Sequence, residues 1–185
     1  MTATATNNED WQARLASHGL IAAPSLKATE AVEVASSRVW EAIVRPGYLK
    51  DCHPFCAETV VESWPGVGSR DSITYYSGVR YQRHVVSWVE GVGYDIELGE
   101  IGKSTARVLW RVEPTSPESC EFSIEVIPLV RANLDDEKKQ QYLARLFGQV
   151  LQDYLECVVK GVRFFATTGT PVSKDQFGWN PFYSS

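Results

Sequence analysis

Residues 133–167 can fold as one long helix whose apolar face takes in about half its circumference, and few architectures can bury so broad a face. At about 100° per residue, Leu143, Phe147, Val150, Tyr154, Val158, Gly161 and Phe165 fall along the middle of that face. Leu146, Cys157 and Phe164 flank the line on one side; Leu151, Leu155 and Val162 flank it on the other. Arg145, Gln149, Gln152, Asp153, Glu156, Lys160 and Arg163 lie opposite. A surface helix carries a narrower stripe, and a coiled-coil seam is narrower still. The hollow of a curved sheet suits such a helix best. At roughly 50 Å long it needs a large sheet to lie on. Asn133 is placed to cap the start, and Asp135, Asp136 and Glu137 sit where the helix dipole favours negative charge. Gly169 and Pro171 supply stop signals. Gly148 and Gly161 each cost about 1 kcal/mol relative to alanine. On the buried midline, Gly161 either lets strands pack closely or leaves room for something bound.

The chain before the helix supplies the sheet. Residues 28–35 alternate as a strand, and Ser36 or Ser37 then caps a short helix through Val39, Trp40 and Ile43. A second short helix is expected from Pro46 to about Cys52. From Phe55 onward the pattern has period two, with strands expected at 57–64, 69–77, 79–90, 94–100, 104–113 and 120–127. The turn signals between them, including Pro65-Gly66-Val67-Gly68, Ser77-Gly78 and Gly91-Val92-Gly93, are too short to hold crossover helices. Antiparallel hairpins follow. Residues 1–9 are expected to lack structure, and 10–18 to form a short helix. The expected organisation is an N-terminal extension (1–26), a main domain (27–169) and an aromatic C-terminal tail (170–185).

The opening strand runs into Ser36-Ser37-Arg38-Val39-Trp40, a Cys52-His53-Pro54 turn follows the second short helix, and Gly66-Val67-Gly68-Ser69 leads into a strand. In that order these three features resemble the START/Bet v 1-like superfamily. Cys52 stands where a tryptophan is usual. The resemblance implies an α+β helix-grip fold: a seven-stranded antiparallel sheet curled around the long C-terminal helix, with two short helices after the first strand. It also implies a cavity between sheet and helix. Such pockets hold small, largely apolar molecules oriented by a few polar groups.

Bulk properties narrow the function further. Net charge is −5, with 22% charged residues and no basic cluster, so no nucleic-acid partner is expected. No apolar run approaches the ~20 residues of a membrane span, and the polar start lacks a signal-peptide core. A cytoplasmic location follows as the expectation, with Cys52, Cys56, Cys120 and Cys157 as reduced thiols. The spacing of Cys52, His53 and Cys56 is not a usual zinc pattern, and no P-loop, Rossmann glycine pattern or catalytic-triad order appears. No metal or cofactor is expected.

Catalytic candidates are His53 and Arg83. The resemblance puts His53 near a cavity mouth, where a histidine can move protons near neutral pH. Arg83 and His84 face opposite ways on one strand; Tyr81 and Arg83 are the pair more readily placed inward, where the arginine could bind a carboxylate or enolate oxygen. Glu30 shares the parity of Val32 and would be a natural partner for a buried Arg83. Candidate ligand-binding residues are Tyr75, Tyr81, Arg83, Tyr94, Trp110, Phe122, Phe147, Tyr154 and Gly161. The aromatic-rich tail, with Phe177, Trp179, Phe182 and Tyr183, should pack back on the domain or against a second copy in a homodimer. The leading expectation is binding of a small hydrophobic or aromatic molecule. The rival is an enzyme of the polyketide cyclase, aromatase or dehydratase type, which would need a titratable group deep in the pocket. A protein–protein adaptor would instead show a filled core and an exposed apolar patch.

Overall fold

In the computed structural model, which describes residues 3–100 and 102–185, the period-two stretches become one strongly curved antiparallel sheet. Among the described residues there are eight strands and five helices. They run α1 (Ala3–Ser17), β1 (Leu20–Ala22), β2 (Leu26–Val32), α2 (Ser36–Ile43), α3 (Leu49–Cys52), β3 (Cys56–Ser63), β4 (Arg70–Tyr75), β5 (Arg80–Val89), β6 (Gly93–Leu98), β7 (Ala106–Ser116), β8 (Ser119–Arg131), α4 (Asp136–Leu146) and α5 (Gln149–Thr168). Strands β3 to β8 pair in sequence order. The long β8 then takes β2 along its first half and β1 along its second. The fold is the expected α+β helix grip, with β1 as a strand beyond the expected seven.

The long helix is two helices. Gly148 has ψ −149, which no helix accommodates, and the chain restarts there as α5. Helix α4 is capped by Asp135, whose carboxylate accepts from the Lys138 amide, in place of Asn133. Only α5, roughly 30 Å long, is gripped by the sheet. Its buried line is also rotated from the expected midline. Leu151, Leu155, Val158 and Val162 are buried, whereas Phe147, Val150, Tyr154 and Phe165 are half-buried. The tail covers part of that second line, where Tyr183 packs on Tyr154 and Asn180 bonds the Val150 carbonyl, whereas Phe165 lies under the Arg45 guanidinium. Gly169 ends α5 in the left-handed conformation, as its position suggested.

Smaller corrections have local causes. Ala35, without a side-chain cap, precedes α2, and the two serines form its first turn. The chain is helical from Ala3, where residues 1–9 had been expected to lack structure; residues 1 and 2 lie outside the described residues. Trp11 and Leu15 of α1 bury against Leu20 and Leu129 in a small second core. All four cysteines are buried free thiols. No helix among the described residues is long and apolar enough to cross a membrane.

Candidate functional site

Between α5 and the concave face of the sheet lies a cavity of about 220 Å³. Its walls are mostly aliphatic, built from inward positions of successive strands: Ile73 on β4, Ile96 and Leu98 on β6, Val108 on β7, and Ile124 and Val126 on β8. Leu151, Leu155 and Val158 of α5 close the other side. His53, Tyr75, Tyr81, Arg83, Trp110, Phe147 and Tyr154 all border it. The strand parity is therefore resolved with Tyr81 and Arg83 inward. His84 faces away and pairs in register with Glu97.

Three other expected lining residues do not reach the cavity. Tyr94 stacks between Trp88 and Trp110, with centroids 5.2 and 5.8 Å away, and its hydroxyl donates to Tyr48 Oη at 2.7 Å. Tyr48, at the start of α3, fills that end of the hollow. Phe122 is fully buried behind Trp110. Gly161 leaves no room for a ligand: a Cβ there would lie 2.3 Å from the Cys52 carbonyl oxygen. The glycine instead brings α5 onto the Cys52-His53-Pro54 turn.

That close approach sets the polar side of the cavity. Two helical turns before Gly161, the Tyr154 hydroxyl meets His53 Nε2 at 2.9 Å and the Tyr75 hydroxyl at 2.9 Å. His53 Nδ1 accepts the Phe55 amide hydrogen at 3.2 Å, so the ring proton sits on Nε2 and is donated to Tyr154. Burial, with the Arg83 charge adding to it, pushes the His53 pKa from 6.5 down to about 3. Burial likewise pushes the Tyr75 and Tyr154 hydroxyls well above their usual value. All three groups are neutral at physiological pH.

Arg83 anchors a second network. Its Nε donates to Asp71 Oδ1 at 2.8 Å and its Nη2 to Tyr48 Oη at 2.9 Å. Burial opposes the Arg83 charge, but the Tyr48 and Asp71 oxygens outweigh that penalty and the guanidinium stays charged. Asp71 thus takes the place expected for Glu30, which pairs with Arg163 of α5 at 2.9 Å. Asp71 shares the inward parity of Ile73 and Tyr75, a signal already present in the sequence. Tyr48 gave no such signal, because the short helix expected around it is too brief to show a period.

The tail finishes the site. Ser77 binds it through its amide to the Tyr183 carbonyl and its hydroxyl to the Phe182 carbonyl. Asn180 donates to the Val150 carbonyl at 3.0 Å. Tyr183 then lies 4.4 Å from the Tyr75 ring and 4.6 Å from the Tyr154 ring, and with Phe182 it borders the cavity. His53, only 4% exposed, lies behind this cover and not at an open mouth. Of the four tail aromatics, Trp179 is largely exposed and Phe182 partly so, at 66% and 39%. No group of His, Cys, Asp and Glu among the described residues could hold a metal ion.

No protein-family model matches the sequence. No curated protein matches it either. Solved structures do match in three dimensions. Norcoclaurine synthase from Thalictrum flavum, in complex with dopamine and hydroxybenzaldehyde, superposes with a TM-score of 0.60 at 12% identity over 80% of this chain and 88% of that one. A START superfamily protein from Mycobacterium smegmatis gives 0.60 at 11%, covering 79% and 99%. The Zhui aromatase/cyclase from a Streptomyces species gives 0.59 at 11%, covering 78% and 93%. These likenesses establish the START/Bet v 1-like fold and nothing finer.

Proposed function

We propose that this protein binds a small aromatic or hydrophobic molecule in the cavity between α5 and the sheet, without transforming it. The observation that carries the reading is an apolar hollow of about 220 Å³ with its polar groups gathered on one side. An empty apolar cavity of about 150 Å³ takes up benzene, whereas drug-sized ligands occupy about 300 Å³ or more. A ligand of one or two rings fits between those limits, and a whole lipid does not. The likeness to a synthase holding two small aromatic molecules accords with that size.

The second reading, a cyclase-type enzyme, draws on the presence of His53, Tyr154, Tyr75 and Arg83 beside the cavity and on the aromatase/cyclase fold likeness. Their protonation argues against it. A general acid or base works best with a pKa near the operating pH. His53 lies far below neutrality, and the tyrosines and Arg83 far above it. These groups are suited to orienting a ligand, not to moving its protons.

Titration of the intact chain with an apolar fluorescent probe should give saturable binding in the micromolar range, about −8 kcal/mol. Leu151→Trp, which places a larger side chain in the cavity, should abolish it while the protein stays folded. Unchanged binding by a folded Leu151→Trp variant would refute this location. Turnover that falls about 10²–10⁴-fold in His53→Ala would instead favour the enzyme.

A further inference from the structure

The hydrogens on the polar side of the cavity do not balance. His53 Nε2, Tyr154 and Tyr75 bring one hydrogen each, yet the three groups make only two bonds among themselves. Whichever tyrosine donates to the other, one hydroxyl hydrogen is left without an acceptor among the described residues. If Tyr154 donates to Tyr75, the spare hydrogen is on Tyr75. If Tyr75 donates to Tyr154, which already accepts from His53, the spare one is on Tyr154. Both residues border the cavity. Arg83, 4% exposed, adds to the excess: its Nη1 has no hydrogen-bond partner among the described residues, and it too borders the cavity. Among the described residues no Asp or Glu lines the cavity to absorb these donors.

We propose that the ligand carries an oxygen acceptor, a carbonyl or carboxylate on an aromatic frame, which takes the unshared hydroxyl hydrogen of the Tyr75–Tyr154–His53 group beside the Arg83 guanidinium. The inference rests on the ligand-binding reading and sharpens it to a chemical class. A buried donor left unpaired is penalised, so a ligand that offers an acceptor gains twice, by the bond made and by the penalty removed. A ligand offering only a donor at the same place must compete with hydrogens already there. The guanidinium favours an anionic acceptor, but Asp71 already offsets part of its charge, so a neutral ketone remains within the class.

The test compares four probes of one shape on the intact wild-type chain by calorimetric titration: naphthalene, acetylnaphthalene, naphthoate and naphthylamine. Acetylnaphthalene or naphthoate should bind about tenfold more tightly than naphthalene, the worth of one well-placed hydrogen bond. Naphthylamine should bind no more tightly than naphthalene. The carbonyl stretch of bound acetylnaphthalene should fall below its value in an apolar solvent. Tighter binding of naphthoate than of the ketone would assign the carboxylate, and the reverse order the neutral carbonyl; both support the proposal. Equal affinities for naphthalene and both oxygenated probes, or naphthylamine as the tightest, would overturn it while leaving ligand binding intact. Failure of all four to bind would remove the ligand-binding reading itself and the proposal with it.

Discussion

Replacing Asp71 by leucine should destabilise the protein far more than its single ion pair would at a surface. The carboxylate and the Arg83 side chain are 2% and 4% exposed, and their contact is 2.8 Å. Without Asp71 the buried guanidinium keeps Tyr48 as its only hydrogen-bond partner among the described residues. Breaking a buried pair from one side costs about 3–5 kcal/mol, because the remaining charge is uncompensated. For a chain of this size that corresponds to a fall in Tm of about 6–20 °C. Urea titration gives the free energy directly, through the midpoint at unchanged slope. The informative control is Asp71→Leu combined with Arg83→Met, which removes both charges together. The double variant should recover most of the loss and lie within about 2 kcal/mol of the parent, giving a large coupling energy in the cycle. A single Asp71→Leu variant within about 1 kcal/mol of the parent, or single costs that simply add, would show that the pair is not buried and coupled as described.

Gly161→Ala should cost about 1–3 kcal/mol in urea titration, although alanine is the better helix former, because the new methyl meets the Cys52 carbonyl. His53 makes stability depend on pH. It is neutral in both states above 6.5, but between 6.5 and about 3 the unfolded chain takes up a proton that the folded chain refuses. Stability should therefore fall with falling pH across that window, by up to about 1.4 kcal/mol per unit from this group, and His53→Asn should flatten the slope. Cutting the chain after Pro171 removes Phe182 and Tyr183 from the cavity wall; faster amide exchange in β4 and quicker probe release are the expected outcomes, measured by hydrogen exchange and stopped flow.

Local order in the sequence was enough to establish strands β3 to β8, their antiparallel sequence-order pairing, and a gripped C-terminal helix. Alternation and short glycine turns are properties of neighbouring residues, and they survive in any tertiary setting. Strand and helix periodicity nominated Tyr75, Tyr81, Arg83, Trp110, Phe147 and Tyr154, the family resemblance nominated His53 and implied the hollow itself, and the tail's aromatic content pointed to ordered packing. Tertiary structure alone decided where the helix broke. The apolar pattern continues past Gly148, and only the backbone conformation there, with ψ −149, distinguishes one helix of 133–167 from two. It also decided which buried charge met Arg83. Glu30 and Asp71 both have inward parity, and choosing between them requires the cross-strand register that sets Asp71 opposite Arg83. The role of Gly161 was likewise invisible, since a missing side chain looks the same whether a backbone or a ligand fills its place. The cavity's hydrogen-bond imbalance was beyond the sequence for the same reason. It arises from residues 53, 75 and 154, which are brought together by one close helix contact and covered by a tail whose docking point no periodicity encodes.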